Sequence, residues 1–252
     1  MGAADRRDRL IAWLAPLVLI ALWEVLVRLH LLSPIFVATP TTVLRRLLIM
    51  GAGADLWLSL GVSLLRVCFG FLLGAVPGLL VGLTMGLFRP VRAALEPIIA
   101  AWYPIPKLAI YPLIMLFFGI GETSKVVAIA SGVFFMVQAN ATAGVLHIDQ
   151  IYLDVARNYG AKRLDFYLTI AFPGALPSIF TGLKLGMGFA LLLIVAAEMI
   201  GAKSGIGYMI WTGYQTFDID RMFVGLVLMS LLGFLFTTGL NALEKVVVPW
   251  KR

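Results

Sequence analysis

Charged side chains are scarce in this chain, since Asp, Glu, Lys and Arg make up 13% of its 252 residues. A soluble domain of average composition carries about 25%. Apolar residues reach 61%, and the mean hydropathy is +0.99. The composition therefore excludes an ordinary soluble domain and predicts an integral membrane protein. The net charge of +7 does not indicate nucleic-acid binding, because the basic residues lie between apolar runs rather than in one cluster.

Cysteine and histidine are rarer still. Cys68 is the only cysteine, which excludes an intrachain disulfide framework and a cysteine-based metal cluster. His30 and His147 lie far apart, and neither is near another ligand type at helical spacing, so no metal site is predicted. The Gly-x4-Gly-Lys-Ser/Thr spacing of a phosphate-binding loop is missing too, including from the glycine-containing turn at residues 119–125.

Long apolar runs are what the sequence has instead. About 20 apolar residues span a bilayer. Six runs qualify, at residues 10–29, 60–88, 97–119, 125–146, 179–201 and 222–244. They predict an all-α membrane protein with six transmembrane helices and with both termini in the cytoplasm. In that orientation the inner segments carry eleven Lys and Arg residues and the outer segments six, a modest positive-inside bias.

The chain divides into two predicted parts. Residues 1–55 comprise a first transmembrane helix, too long for a signal peptide, and an outer interfacial segment with a short amphipathic helix. Residues 56–248 form the transmembrane core, and residues 149–178 are its cytoplasmic loop. Glu24 and Arg28 are spaced to pair near the end of the first span. Aromatic residues between the last two spans predict a half-inserted outer segment.

Glycines recur every fourth position along the second span. They are Gly70, Gly74, Gly78, Gly82 and Gly86. Such a stripe lets two membrane helices approach closely. It predicts static helix packing, or alternatively a surface that slides when the protein changes conformation.

Four prolines interrupt the third span and predict a broken helix. Its irregular backbone must be buried in protein or line a cavity. Tyr103, Lys107 and Tyr111 would share one face if the helix persisted there, as a candidate pathway or gate. Lys107 either snorkels near the cytoplasmic end or contacts a substrate.

Polar residues within the other spans have two interpretations each. Gln138 and Asn140 can bridge helices, the default, or line a pathway. Glu198 is an acid within a span, which suggests a functional role, although a helix-end hydrogen bond or an ion pair would also explain it. Arg66 is expected to face protein or water rather than lipid.

Residues 149–178 are the longest polar interval between apolar runs. Asp149 can cap a short helix. One side of that helix is apolar, with Ile151, Val155 and Tyr159. Gly160 lies where a left-handed residue ends a helix. A second amphipathic piece follows, and Pro173 and Pro177 are expected to break the chain before the next span.

This interval resembles the EAA loop of ABC importer permeases. That loop reads Glu-Ala-Ala, three residues, Gly, nine residues, Ile-x-Leu-Pro. Here the matching positions are Asp154-Val155-Ala156, Gly160 and Ile170-Ala171-Phe172-Pro173. Asp for Glu keeps the charge, and Val for Ala and Phe for Leu keep the apolar character. Residues 118–125 and 196–201 are similar to the nitrate, sulfonate, taurine and bicarbonate branch, and the likeness covers roughly residues 56–245.

The resemblance implies a type I ABC importer permease in a bacterial inner membrane, importing a small anion such as nitrate, bicarbonate, taurine or another sulfonate. It implies a homodimer, two separate ATPases that bind ATP and Mg, and a periplasmic or lipid-anchored binding protein. The chain itself would be non-catalytic and without cofactors. The residues implied to couple it to the ATPase are Tyr152, Asp154, Ala156, Arg157, Gly160, Ala161 and Arg163.

The residues themselves bear on two other classes of membrane protein. An ATP-independent secondary transporter or channel would need several buried ionisable groups for ion coupling. The spans hold few beyond Arg66, Lys107 and Glu198, and no clear inverted repeat is visible. A membrane enzyme is less favoured, because no paired carboxylates, histidine cluster or nucleophile–base arrangement occurs within the spans.

Overall fold

The computed structural model describes residues 3–160 and 167–251, and every regular element within these ranges is helical. The α-helices are α1 (Ala3–Arg28), α2 (Pro40–Gly51), α3 (Ala54–Leu87), α4 (Arg89–Trp102), α5 (Tyr111–Phe118), α6 (Glu122–Leu146), α7 (Gln150–Asn158), α8 (Phe172–Gly201), α9 (Ile206–Gln215) and α10 (Ile219–Val247). A π-helical turn, Tyr167–Ala171, leads into α8, and a 3-10 turn, Pro249–Lys251, follows α10.

Four of these helices, α3, α6, α8 and α10, are long and apolar enough to cross a membrane. The shortest, α6, has 25 residues, or about 38 Å at 1.5 Å per residue, against a hydrocarbon core of about 30 Å. The other two predicted spans correspond to α1 and to the α4–α5 pair. The prediction of an all-α membrane bundle is confirmed, and so are the short helices α2 and α9 outside the main spans.

The third span is broken as predicted, since α4 ends at Trp102 and α5 begins at Tyr111. The fifth differs from expectation. Helix α8 begins at Phe172, seven residues before the predicted start, and it contains both Pro173 and Pro177. The expectation that these prolines break the chain was wrong. Proline fits the first turn of a helix, where its missing N–H has no intrahelical partner, and in membrane helices an interior proline is tolerated.

The core lies where α3, α6 and α8 meet, and its fully buried side chains include Val67, Ile129, Val133, Val137 and Ile194. The glycine stripe of α3 lies against α6. A Cβ atom at Gly74 would be 2.4 Å from the carbonyl oxygen of Ala130, and one at Gly78 would be 2.7 Å from that of Phe134. The two backbones are therefore in direct contact, which the favoured interpretation of static packing requires.

The predicted ion pair of α1 forms and also reaches α2. Arg28 Nε donates to Glu24 Oε1 at 2.6 Å, and the same carboxylate accepts from Thr41 Oγ1 at 2.7 Å and from the Thr41 backbone N–H at 3.0 Å. Glu24 thereby fixes the start of α2 to the outer end of α1.

Candidate functional site

The cytoplasmic loop begins with a capped helix. The backbone N–H of Ile151 donates to Asp149 Oδ1 at 3.0 Å, so the predicted cap is present at the start of α7. Beyond the end of this helix, Gly160 has a φ of +69°, a left-handed conformation that glycine adopts without strain. The predicted left-handed residue after α7 is therefore confirmed, while residues 161–166, the start of the second amphipathic piece, lie outside the described residues.

The apolar side of α7 is uncovered. The exposed fractions are 61% for Ile151, 48% for Val155 and 88% for Tyr159. In the predicted orientation α7 lies on the cytoplasmic side, beyond the end of α6. Exposed apolar side chains grouped in this way are typical of a surface that contacts a protein or a membrane.

The predicted coupling residues fall on and around this helix. The side chains of Tyr152 and Asp154 are exposed on α7, and Gly160 is exposed beyond its end. Ala156 and Arg157 belong to the backbone of α7. Ala161 and Arg163 lie outside the described residues.

A cavity of about 580 Å³ opens beside α7, and Tyr152, Pro173 and Trp250 are among the residues that line it. Val248, just before Trp250, is 3% exposed and packs in one cluster with Ile148 and Phe172. The segment after α10 therefore supports the cytoplasmic loop. Sequence reasoning missed Trp250, whose only signal was an aromatic residue close after the last apolar span.

Charged side chains meet at the opposite end of the bundle. This outer ion cluster consists of Ser63, Arg66, Glu122, Lys125 and Glu198. Arg66 Nη1 donates to Glu198 Oε1 at 2.7 Å and to the Ser204 carbonyl oxygen at 2.7 Å. Its Nη2 and Nε donate to the two oxygens of Glu122, the former at 2.6 Å. Arg66 thus faces protein, as expected.

Glu198 is fully buried within this cluster. Its carboxylate accepts from Ser63 Oγ at 2.8 Å and from the backbone N–H of Gly207, in the first turn of α9, at 2.8 Å. Only glycine fits at position 205 beside this carboxylate. Its φ is +117°, and a Cβ atom there would lie 2.3 Å from the Glu198 carboxyl carbon. Glu198 thus makes both the ion pair and the helix-end hydrogen bond that would explain an acid there without a transport role.

The three pathway candidates of the third span do not share a helix face, because no helix joins Trp102 to Tyr111. Tyr111 is fully buried and packs with Ile114, Ala128 and Ala197. Tyr103 is 53% exposed, and its ring lies edge-on to that of Phe135 with 6.2 Å between centroids.

Lys107 is buried, and its Nζ lies 4.3 Å from the ring centroid of Phe135. Phe135 lies next to the middle residue of α6, which runs from Glu122 to Leu146. Lys107 therefore lies near the midplane depth, and the interpretation that it snorkels near the cytoplasmic end is wrong. Because α4 and α5 are separate helices, Lys107 does not lie at the depth that one continuous helix would give it.

Gln138 links α6 to α3 through Thr142, which agrees with the interpretation that it bridges helices. Its Nε2 donates to Thr142 Oγ1 at 3.0 Å, and Thr142 Oγ1 donates to the carbonyl oxygen of Gly82 in α3 at 3.0 Å. Asn140 donates to the carbonyl oxygen of Met136 within its own helix at 2.8 Å. No pattern in the sequence points to Ser63 or Phe135, because their partners are distant along the chain.

A bundle of membrane-spanning helices, with a capped, exposed apolar helix on one side and a buried ion cluster at the other, is the architecture of a multi-pass membrane protein. Residues 70–251 match the family described as "Binding-protein-dependent transport system inner membrane component". The chain belongs to this family, whose members are permease components of ABC importers.

Named relatives support this assignment. The chain is 37% identical over 238 residues to the taurine transport system permease protein TauC of Escherichia coli, covering 92% of this chain and 86% of that one. It is 34% identical to the putative aliphatic sulfonates transport permease protein SsuC of Bacillus subtilis, covering 94% and 86%. It is 33% identical to the nitrate import permease protein NrtB of a Synechocystis strain, covering 79% and 72%.

A solved structure has the same fold. A chain of the MetNI methionine ABC transporter in an inward-facing conformation matches 80% of this chain and 96% of its own length, with a TM-score of 0.58 and 22% identity. At this identity the likeness concerns the fold alone.

Proposed function

We propose that this chain forms the translocation pathway of an ATP-driven importer, as a homodimer bound to two separate ATPase subunits and served by a solute-binding protein. ATP and Mg are bound by the ATPases, and this chain carries out no catalysis. The observation that carries the proposal is the uncovered apolar side of α7, with Ile151 and Tyr159 more than half exposed on the cytoplasmic side. A groove on the ATPase that receives this helix would bury those side chains.

Movement of α7 has a direct route to the outer side of the membrane. The helical segment Thr169–Gly201 contains 33 residues, so it is about 50 Å long. Its inner end follows the cytoplasmic loop, and its outer end holds Glu198 in the outer ion cluster. When ATP binding draws the two ATPases together, displacement of α7 at one end can shift the cluster at the other, as in a two-state bundle biased at its inner face.

The solute is proposed to be a small anion of the sulfonate or nitrate class. The three relatives named above are described as permeases for taurine, aliphatic sulfonates and nitrate. Taurine and alkanesulfonates share a sulfonate group of charge −1 on a short aliphatic chain, to which taurine adds an ammonium, and nitrate is a compact anion with the same charge as the sulfonate group. The location consistent with these relatives is a bacterial inner membrane.

The test is assembly with the partner ATPase. Ile151→Asp places a charge on the exposed apolar side of α7 and should abolish co-purification of the ATPase. Ile35→Asp is the matched control, since Ile35 is 69% exposed but precedes α2 on the outer side, and it should leave co-purification unchanged. Normal assembly of Ile151→Asp would contradict the docking role of α7.

The ATP-independent alternative makes a different prediction. A secondary transporter or channel would move solute when this chain alone is reconstituted in liposomes. The proposed importer would not, and uptake would require the ATPase, ATP and the binding protein together.

A further inference from the structure

Lys107 is a buried cation without an acidic partner. It is 8% exposed, and among the residues that the structure describes no carboxylate lies within 4.0 Å of its ammonium. Other cations within the bundle are paired, as Arg66 is with Glu198 and Lys184 is with Glu244. A charge at this depth is costly and usually marks a substrate or ion pathway.

One of the three N–H donors of the Lys107 ammonium makes only a long contact. Its Nζ donates to the carbonyl oxygens of Trp102 at 2.8 Å and Ile105 at 3.0 Å, at the C-terminal end of α4. The third contact, with the carbonyl oxygen of Tyr103, is 3.5 Å long, beyond the usual range for an N–H···O bond. An ammonium has three donors, so one N–H can turn toward a guest without breaking the two short bonds.

The ammonium lines a cavity of about 270 Å³, called here the Lys107 cavity. The break between α4 and α5 forms one wall, and Phe135, Met136 and Phe189 form an apolar wall. At about 30 Å³ per water molecule this volume holds roughly nine waters, which is enough for a small organic ion. The lining thus combines one cation with apolar surface for a short aliphatic chain.

A second cavity, of about 400 Å³, lies toward the cytoplasmic ends of α3 and α6 and is lined by Arg92 and His147 among others. Both cavities include Tyr103 and Phe135 in their walls. The edge-on contact of these two rings therefore stands between the Lys107 cavity and the cytoplasmic side.

We propose that the Lys107 cavity is a binding site within the membrane for a small organic anion of the alkanesulfonate class, with Tyr103 and Phe135 closing its cytoplasmic side. The sulfonate accepts a hydrogen bond from the Lys107 ammonium, and the aliphatic part lies against Phe135, Met136 and Phe189. This inference rests on the proposed function, since it assigns the site at which the imported anion pauses during transport.

The first test measures uptake of ethanesulfonate by the complete reconstituted complex. Lys107→Gln keeps an amide donor for the carbonyls of Trp102 and Ile105 but removes the charge, and it should reduce uptake by about tenfold or more, as expected for one lost charge-assisted hydrogen bond. Lys107→Arg keeps the charge and should retain most of the uptake. Equal uptake by Lys107→Gln and the unmodified complex would overturn the site alone, whereas failure of the unmodified complex to import any anion in response to ATP would refute the proposed function.

The second test does not alter Lys107. Met136→Cys in a Cys68→Ala background places a thiol in the wall, and ethanesulfonate should slow its modification by methyl methanethiosulfonate in phosphatidylcholine nanodiscs, while ethanol should not. A thiol that does not react, or a rate that ethanesulfonate leaves unchanged, would overturn the proposal. A rate that falls with added phosphatidylglycerol but ignores ethanesulfonate would identify a lipid phosphate as the occupant and would overturn it too.

Discussion

Replacing Glu198 with Gln tests how strongly the outer ion cluster holds the bundle together. The substitution keeps the shape of the side chain but removes its charge from a fully buried position, where it accepts from Arg66, Ser63 and Gly207. Breaking a buried ion pair by removing one partner costs about 3–5 kcal/mol. We expect about 3 kcal/mol, the lower end, because Glu122 still pairs with Arg66.

A double-mutant cycle measures the interaction free energy between Arg66 and Glu198. Arg66→Met removes the cation and leaves Glu198 buried without a charged partner, so its cost should approach about 5 kcal/mol. The double variant Arg66→Met with Glu198→Gln removes both charges and should recover much of that loss, because neither charge is then left buried without its partner.

The assay is unfolding in mixed micelles, followed by loss of helical circular dichroism and by gel-filtration profile. Glu96→Gln is the control, since Glu96 is exposed on α4 and should change stability by less than about 0.5 kcal/mol. A Glu198→Gln protein as stable as this control would refute the cluster's structural role. Additive costs in the double variant would show that Arg66 and Glu198 are not energetically coupled.

Three further substitutions test other parts of the fold. Gly78→Leu should lower the free energy of unfolding in detergent by more than about 3 kcal/mol, because the larger side chain would meet the α6 backbone. The control is Gly61→Leu, at a position of the same helix with open space around it. Equal stability of the two variants would show that the glycine stripe faces lipid. Gly160→Pro should impair assembly with the ATPase while the protein still inserts in the membrane, because proline cannot adopt the φ of +69°. The control Gly160→Asn should assemble normally. Unchanged co-purification of the ATPase with the proline variant would count against a role of Gly160 in assembly. Asp154→Lys should uncouple ATP hydrolysis from uptake, which normal solute accumulation would disprove.

Local features were predictable from the sequence because neighbouring residues determine them. Asp149 and Gly160 bound a short helix through interactions within a few residues, and the recurrence of glycine in α3 already implied a backbone contact. The break after Trp102 followed from the prolines of the third span. Such features depend on backbone geometry and need no knowledge of the tertiary structure.

Partners across the fold could not be predicted in this way. Arg66 and Glu198 are separated by 132 positions, and only the packing of α3 against α8 brings them together. Sequence alone does not decide between the two interpretations of Lys107, because the segment between α4 and α5 does not follow helical periodicity. Pro173 occupies the first turn of α8, where proline is compatible with a helix, and its position in that turn is not evident from the residue type alone.

If a separate ATPase drives this chain through α7, solute accumulation must depend both on ATP hydrolysis and on the exposed apolar side of that helix. The complex of this chain, its ATPase and its binding protein is reconstituted in liposomes, and accumulation of taurine, ethanesulfonate and nitrate is measured with ATP and with a non-hydrolysable analogue. We predict accumulation of at least one of these solutes with ATP only, and its loss in Ile151→Asp but not in Ile35→Asp. Equal solute entry without ATP hydrolysis, or through this chain alone, would contradict the account.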